Sequence, residues 1–371
     1  MIPVVYLSTS IYPDINLNKL RFLQDSNEQI HIMYSTTYYD IINQVKYAPN
    51  IAYLLLFIFM FIYFTIMLFK TKYFWFNLRL FVGYLLEVML FLVQVISLGS
   101  YEYWAFVIIA SICMYIGPIF ILSAIYYTIS KLIVAHGAHY SKLPPMWYSY
   151  IFTTIDILVI PLEVVSIVLY YSQAYDHYIT SSKALVITKS VIQFVEVLLI
   201  LAFWFHFLFN IFFKYTKQEK EQYNLMDRSV SNFFKLLFNV SSVREYKKTQ
   251  LDCTYDSKYY KVRQKTLFGW FPLALTIILL VNYIFSIFRL VETCYPTENR
   301  ILIDLHLYVF HAGFIATTGS VYALFHPYFV LGKDNCVKIF NLKRNKKDES
   351  STDTDLLEKK SGISRFATVV F

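Results

Sequence analysis

Charge, glycine, proline and cysteine are all scarce in this 371-residue chain. Only 16% of its residues are Asp, Glu, Lys or Arg, against about 25% in a globular domain, which excludes an ordinary soluble enzyme. Nine Gly and ten Pro are too few for a collagen-like or low-complexity chain, and four Cys are too few for a disulfide scaffold. What fills the chain is apolar: 57% of the residues are hydrophobic, with 34 Phe and 33 Tyr. That composition reads as long, uninterrupted helices in a membrane.

A helix needs about 20 mostly apolar residues to cross a hydrocarbon core of about 30 Å. Seven stretches qualify: 51–69, 80–100, 105–130, 146–171, 190–213, 266–288 and 305–331. The first, third and sixth hold no charged residue, whereas the seventh carries His306, His311 and His326. The predicted class is all-α: a polytopic membrane protein with seven transmembrane helices over 47–331, an external segment 1–46, and a cytosolic tail 332–371 that composition marks as disordered.

Lys and Arg are retained on the cytoplasmic side of short loops. Lys70, Lys72, Arg79, Lys131, Lys142, the twelve basic residues from Lys214 to Lys265 and the tail from Lys333 all fall on one side. Only Lys19, Arg21, Lys46, Lys183, Lys189, Arg289 and Arg300 fall on the other. The N-terminus is therefore expected outside and the C-terminus in the cytosol. The net charge of +8 then reports topology and not a nucleic-acid partner. Residues 1–46 show no apolar run behind a basic start, so no cleaved signal peptide is expected. Cys113 falls mid-span, Cys253 and Cys336 on the cytosolic side, and Cys294 outside, which predicts no external disulfide. The sequon at Asn239 lies in the cytosolic loop, where it should stay unmodified.

Within that basic loop, 214–265, Ser231 is placed to cap a short helix with Phe233, Phe234, Leu237 and Phe238 on one face. Two readings stand level: the helix lies on the inner leaflet against anionic lipid, or it packs as part of an ordinary loop.

A charge near the bilayer centre costs on the order of 3 kcal/mol, so ionisable residues inside spans are candidate functional groups. Asp156 and Glu163 are seven residues apart on the fourth span, on one face and about 10 Å apart along the axis. Glu196 sits in the outer third of the fifth span and Glu87 in the inner half of the second. Arg289 and Glu292, spaced i, i+3, are able to pair. Asp304, Tyr308 and His311, at offsets of four and three, share a face of the last span. If these stripes face one another they form an acidic cavity opening toward the outer leaflet. The equal alternative is that they are interhelical hydrogen-bond glue. Pro118, Pro161 and Pro272 lie inside spans, where a missing donor can kink a helix.

Seven spans with an external N-terminus first point to a G-protein-coupled receptor, but the third span ends Tyr126-Tyr-Thr-Ile-Ser-Lys131 without an acidic-Arg pair. The seventh ends Phe325-His-Pro-Tyr328 without Asn-Pro-x-x-Tyr. A seven-span zinc hydrolase needs several His around one metal, whereas His306 and His311 are about 140° apart on an α-helix and His206 is remote. No metal is expected.

Other residues carry a better match. Tyr47-Ala-Pro49 opens span one; Gly83-Tyr84 lies in span two; Gly117-Pro118 and Ser123-Ala-Ile-Tyr126 lie in span three. Asp156 then Glu163 follow in span four, Arg289-Leu-Val-Glu292 closes span six, and Asp304, Tyr308, His311 and His326-Pro327 mark span seven. In this order the chain resembles the fungal lipid-translocating exporter family, associated with resistance to sphingoid long-chain bases and aminocholesterol. The pattern has an acidic residue where Leu80 stands, a basic one where Glu87 stands, Gln at Glu163, Glu at Asp304 and Asp at His311, and glycines missing before Glu196. These departures mark a divergent member.

The resemblance implies a multi-pass protein of the fungal plasma membrane that moves amphipathic lipids, sphingoid bases in particular, and confers tolerance to them. It implies neither an enzyme nor a cofactor, and no Walker pattern is present to hold ATP. Asp156, Glu163, Glu196, Asp304, Tyr308 and His311 are then the expected contacts to the lipid head group, with Arg289, Glu292 and Pro118 structural or gating. The competing expectation is a lipid-responsive receptor or regulator of sphingolipid and sterol handling that moves no lipid itself.

Overall fold

The computed structural model of the protein describes residues 47–97, 104–171, 177–214, 226–294 and 305–332, among which there are helices and turns but no strand. Six long helices carry the first six spans: α1 Tyr47–Lys70, α2 Phe74–Ser97, α3 Trp104–His136, α4 Pro145–Tyr171, α5 His177–Phe213 and, after three short ones, α9 Thr266–Cys294. The short helices are α6 Val230–Leu237, α7 Ser241–Thr249 and α8 Tyr260–Arg263. The last span is built in pieces, a π-helical segment Leu305–Gly313, then α10 Phe314–Leu324 and α11 Pro327–Val330. All seven spans are long and apolar enough to cross a membrane. Asp304, the segment 1–46 and the tail from 333 lie outside the described residues.

Consecutive helices pack side by side from α1 to α5, α5 packs on α9, and the last span touches both α9 and α1, so the seven close into a ring. Tyr53 and Tyr63 fasten the closure: their hydroxyls donate to the carbonyls of Tyr308 at 2.7 Å and Ala323 at 3.0 Å. α3 is the most buried span and α1 the least, because α3 also contacts α5 and α9 across the ring. Pro118 does not break it; α3 runs uninterrupted past it, and Pro118 borders a small void of about 10 Å³ with Leu122, Gln193, Val197, Asn282 and Phe285.

Two helices start earlier than apolarity predicts. α2 begins at Phe74 and takes in Arg79, whose guanidinium donates to the Ser123 carbonyl at 2.6 Å. α5 begins at His177 and takes in Lys189, 4% exposed. Each charge finds its partner inside the bundle.

The His326-Pro327 pair ends α10 for a visible reason. Pro327 supplies no amide proton, and His326 caps the turn that follows by accepting from Tyr328 N–H at its Nδ1, 3.0 Å. Its Nε2 therefore carries the proton and donates to Asn77 Oδ1 at 2.7 Å.

The loop between α5 and α9 closes one end of the ring. The last carbonyls of a helix lack intrahelical donors, and here the loop supplies them. Arg263 Nη1 donates to Ala135 O at 2.7 Å, Asp256 N to His136 O at 3.2 Å, and Tyr255 Oη to Ile211 O at 2.7 Å. The cap of α6 is Ser229, not Ser231, which lies within the first turn. Leu236, Leu237 and Phe233 turn inward, Phe233 against Phe212, while Val230, Phe234 and Phe238 are exposed. The sequon residue Asn239 is buried at a left-handed φ of 46°, its amide against Gly269.

Candidate functional site

The intramembrane acids do not converge on one cavity; among the described residues they divide into three clusters. In the first, the carboxyls of Asp156 on α4 and Glu196 on α5 lie within hydrogen-bonding reach of each other. They are 4% and 2% exposed. Such a contact between two carboxyls requires a proton on one of them. Tyr126 of α3 donates to Glu196 Oε1 at 3.1 Å, and the charge of Arg79 acts on Asp156 from α2. Asp156 Oδ2, Glu196 Oε2 and the neighbouring Thr153 Oγ1 are buried with no hydrogen-bond partner. The residues beside the acids point the other way. Ile157 and Leu158 on α4, and Val195, Leu198 and Leu199 on α5, are exposed on the apolar outside of the bundle.

The second cluster holds Glu163, but with its own counter-ion. Lys189 pairs with the Glu163 carboxylate, both being nearly fully buried. Lys189 and Arg289 each stand over the ring of Tyr115, at 4.1 and 4.0 Å. The predicted Arg289–Glu292 pair does not form among the described residues. Glu292 Oε2 instead lies 2.8 Å from His306 Nε2. Arg289 is drawn inward because the Tyr115 face offers its guanidinium a cation–π partner inside the bundle.

The third cluster is Glu87 with His311. His311 Nε2 lies 3.0 Å from Glu87 Oε2, and both residues are fully buried. The carboxylate is wedged against α3, where a Cβ on Gly117 would stand 2.7 Å from Glu87 Oε1. Tyr308 and His311 lie on the π-helical segment, where i→i+5 bonding changes which residues share a face. Tyr308 stacks on Tyr53, with ring centroids 6.2 Å apart, while His311 points into the bundle. The sequence singled out both His311 and Glu87, but not their pairing. Lys189, Arg79 and Tyr126 were not read as site residues.

A closed ring of seven helices, each long and apolar enough to cross a membrane, defines a multi-pass membrane protein, with an acid pair buried between α4 and α5. The chain belongs to the family described as RTA1 like protein, whose model matches residues 80–334 and so takes in the acidic residues of all three clusters. It is 28% identical over 273 residues to the sphingoid long-chain base transporter RSB1 of Saccharomyces cerevisiae strain JAY291, covering 72% of this chain and 68% of that protein. Against the same transporter from strain S288c the identity is 27%, with the same coverage. No solved structure matches.

Proposed function

We propose that the protein moves amphipathic lipids, sphingoid long-chain bases in particular, across the plasma membrane, and that Asp156 and Glu196 receive the ammonium group. The similarity to a yeast sphingoid long-chain base transporter supports the substrate class. The carrying observation is the acid pair with two orphaned oxygens, Asp156 Oδ2 and Glu196 Oε2. An ammonium has three N–H donors and no acceptor, so it can displace the shared proton and satisfy both oxygens. Tyr126 fixes Glu196 in place, and Thr153 Oγ1 is free to meet a hydroxyl of the base. The exposed aliphatic residues of α4 and α5 leave a path on which the tail stays in lipid while the head group enters between the helices. The N-terminus lies outside and the basic loop faces the cytosol, by the distribution of Lys and Arg. The protein acts as a transporter and not an enzyme.

Purified protein in liposomes, with a labelled sphingoid base added to one side, tests this. Flux should exceed that of empty liposomes and fall about a hundredfold in Asp156→Asn and Glu196→Gln, the loss of roughly one buried charged contact. Flux unchanged in both variants would remove the site. Absence of flux in the unaltered protein would favour a lipid-responsive regulator.

A further inference from the structure

The loop between α5 and α9 encloses a second polar site that the transport mechanism does not use. A cavity of about 90 Å³ is bordered there by Arg244, Lys247, Lys248, Arg263 and Lys265, with Asp252 the one carboxylate on its wall among the described residues. Asp252 is already engaged: it pairs with Arg263 and accepts from Gln264 Nε2 at 3.2 Å. The other four cations are therefore not neutralised by it.

Arg263 is 7% exposed and has more donors than acceptors. Its Nε serves Asp252 and its Nη1 serves the carbonyls of Ala135 and Asp256, at 2.7 and 2.6 Å, while Nη2 is buried without a partner among the described residues. A buried guanidinium N–H left unsatisfied costs free energy that an anion would recover. Lys247 gives the same sign. Half-buried and only 3.5 Å from Asn239 Oδ1, its ammonium is pushed down to about 8 by burial, and a nearby anion would reverse that.

The surroundings indicate where the anion comes from. Asn239 lines the cavity, and the helix that ends just before it exposes Val230, Phe234 and Phe238. Cations beside an exposed aromatic face are the pattern of a segment resting on an anionic leaflet. At about 10–15 Å³ for each water-sized group, the cavity accommodates roughly the five heavy atoms of a phosphate monoester.

We propose that this cavity binds the phosphate monoester head group of a membrane lipid, with Arg244, Lys247 and Lys248 at its rim, Arg263 Nη2 at its floor, and Phe234 and Phe238 in the adjoining leaflet. The site ties the loop, and through it the ends of α3 and α5, to the lipid composition of that leaflet.

Native mass spectrometry of the full-length protein in detergent tests it, with short-chain phosphatidic acid and phosphatidylcholine as probes. One phosphatidic acid should be retained in preference to phosphatidylcholine, and about tenfold more weakly in Lys247→Gln/Lys248→Gln. Among the described residues those two side chains make no ion pair, and Lys247 only a long contact to Asn239 and one to the Phe212 ring, so the variant should melt close to the parent; Arg244→Gln provides a second, independent reading. Equal retention of both lipids, or unchanged retention in both variants, would overturn the site. Displacement of the lipid by millimolar inorganic phosphate would overturn the lipid as its source.

Discussion

Helices α4 and α5 meet at two rungs of the same ladder, and the rungs differ in one charge. Asp156 faces Glu196 at one and Glu163 faces Lys189 at the other. The spacing is seven residues on each helix, about 10 Å along the axis. Both rungs are buried to the same degree. The Glu163 rung supplies its own cation and adds two more contacts through Tyr115, so it needs nothing from outside. The Asp156 rung joins acid to acid and leaves two oxygens unsatisfied, and only a proton or an incoming cation completes it. Depth and burial alone therefore do not mark a binding residue; the state of its partner does.

Breaking the self-contained rung should have the largest effect, and on folding more than on transport. Lys189→Met strands the Glu163 carboxylate in the bundle, which costs about 3–5 kcal/mol and should appear as a collapse of the melting transition in detergent and of surface expression. A second change, Glu163→Gln in the same chain, removes the stranded charge. It should recover most of the lost stability, together with transport by whatever protein folds. If Lys189→Met left the melting temperature unchanged, the two rungs would not differ as described.

Copying one rung onto the other sharpens the comparison further. Glu196→Lys places a cation opposite Asp156, as Lys189 stands opposite Glu163. The variant should fold as well as the parent, because the orphaned Asp156 oxygen gains a donor, yet sphingoid-base flux should fall to the background of empty liposomes. Stability kept with flux lost separates binding from packing, a distinction that removal of a carboxyl cannot make alone. Retained flux would show that no substrate ammonium needs that position.

The spans were legible because length and apolarity are local properties, and the seven stretches agree with the seven helices to within a few residues except where a buried cation extends one. The shared face of Asp156 and Glu163 was legible from helical spacing. Their separate fates were not, because Lys189 sits at the edge of the apolar run and reads as a loop charge until α5 is seen to begin at His177. The matching seven-residue interval from Lys189 to Glu196 was the available signal. The last span misled for a different reason: an α-helical wheel assumes one winding, and the segment Leu305–Gly313 is π-helical. Arg79, read as a loop cation, lies inside α2 because the Ser123 carbonyl awaits it.

The smallest expected effect comes from the third contact, Glu87 with His311. The resembled family has a basic residue at the first position and Asp at the second, so the two departures, read separately as signs of divergence, are reversals of one pair. Their 3.0 Å approach makes the exchange of sign self-consistent. Either half restored alone should be costly: Glu87→Arg sets two donors against each other, and His311→Asp two acids, with no second partner within the fully buried site. Glu87→Arg/His311→Asp together should return the unfolding free energy to within about 1 kcal/mol of the parent, the scale of an interhelical polar contact in a membrane protein. Transport should change little, because Glu87 already meets an imidazole within the bundle, although Glu87 Oε1 and His311 Nδ1 stay buried without a hydrogen-bond partner among the described residues. Additive losses in a double-mutant cycle would instead show that Glu87 and His311 are adjacent without being coupled.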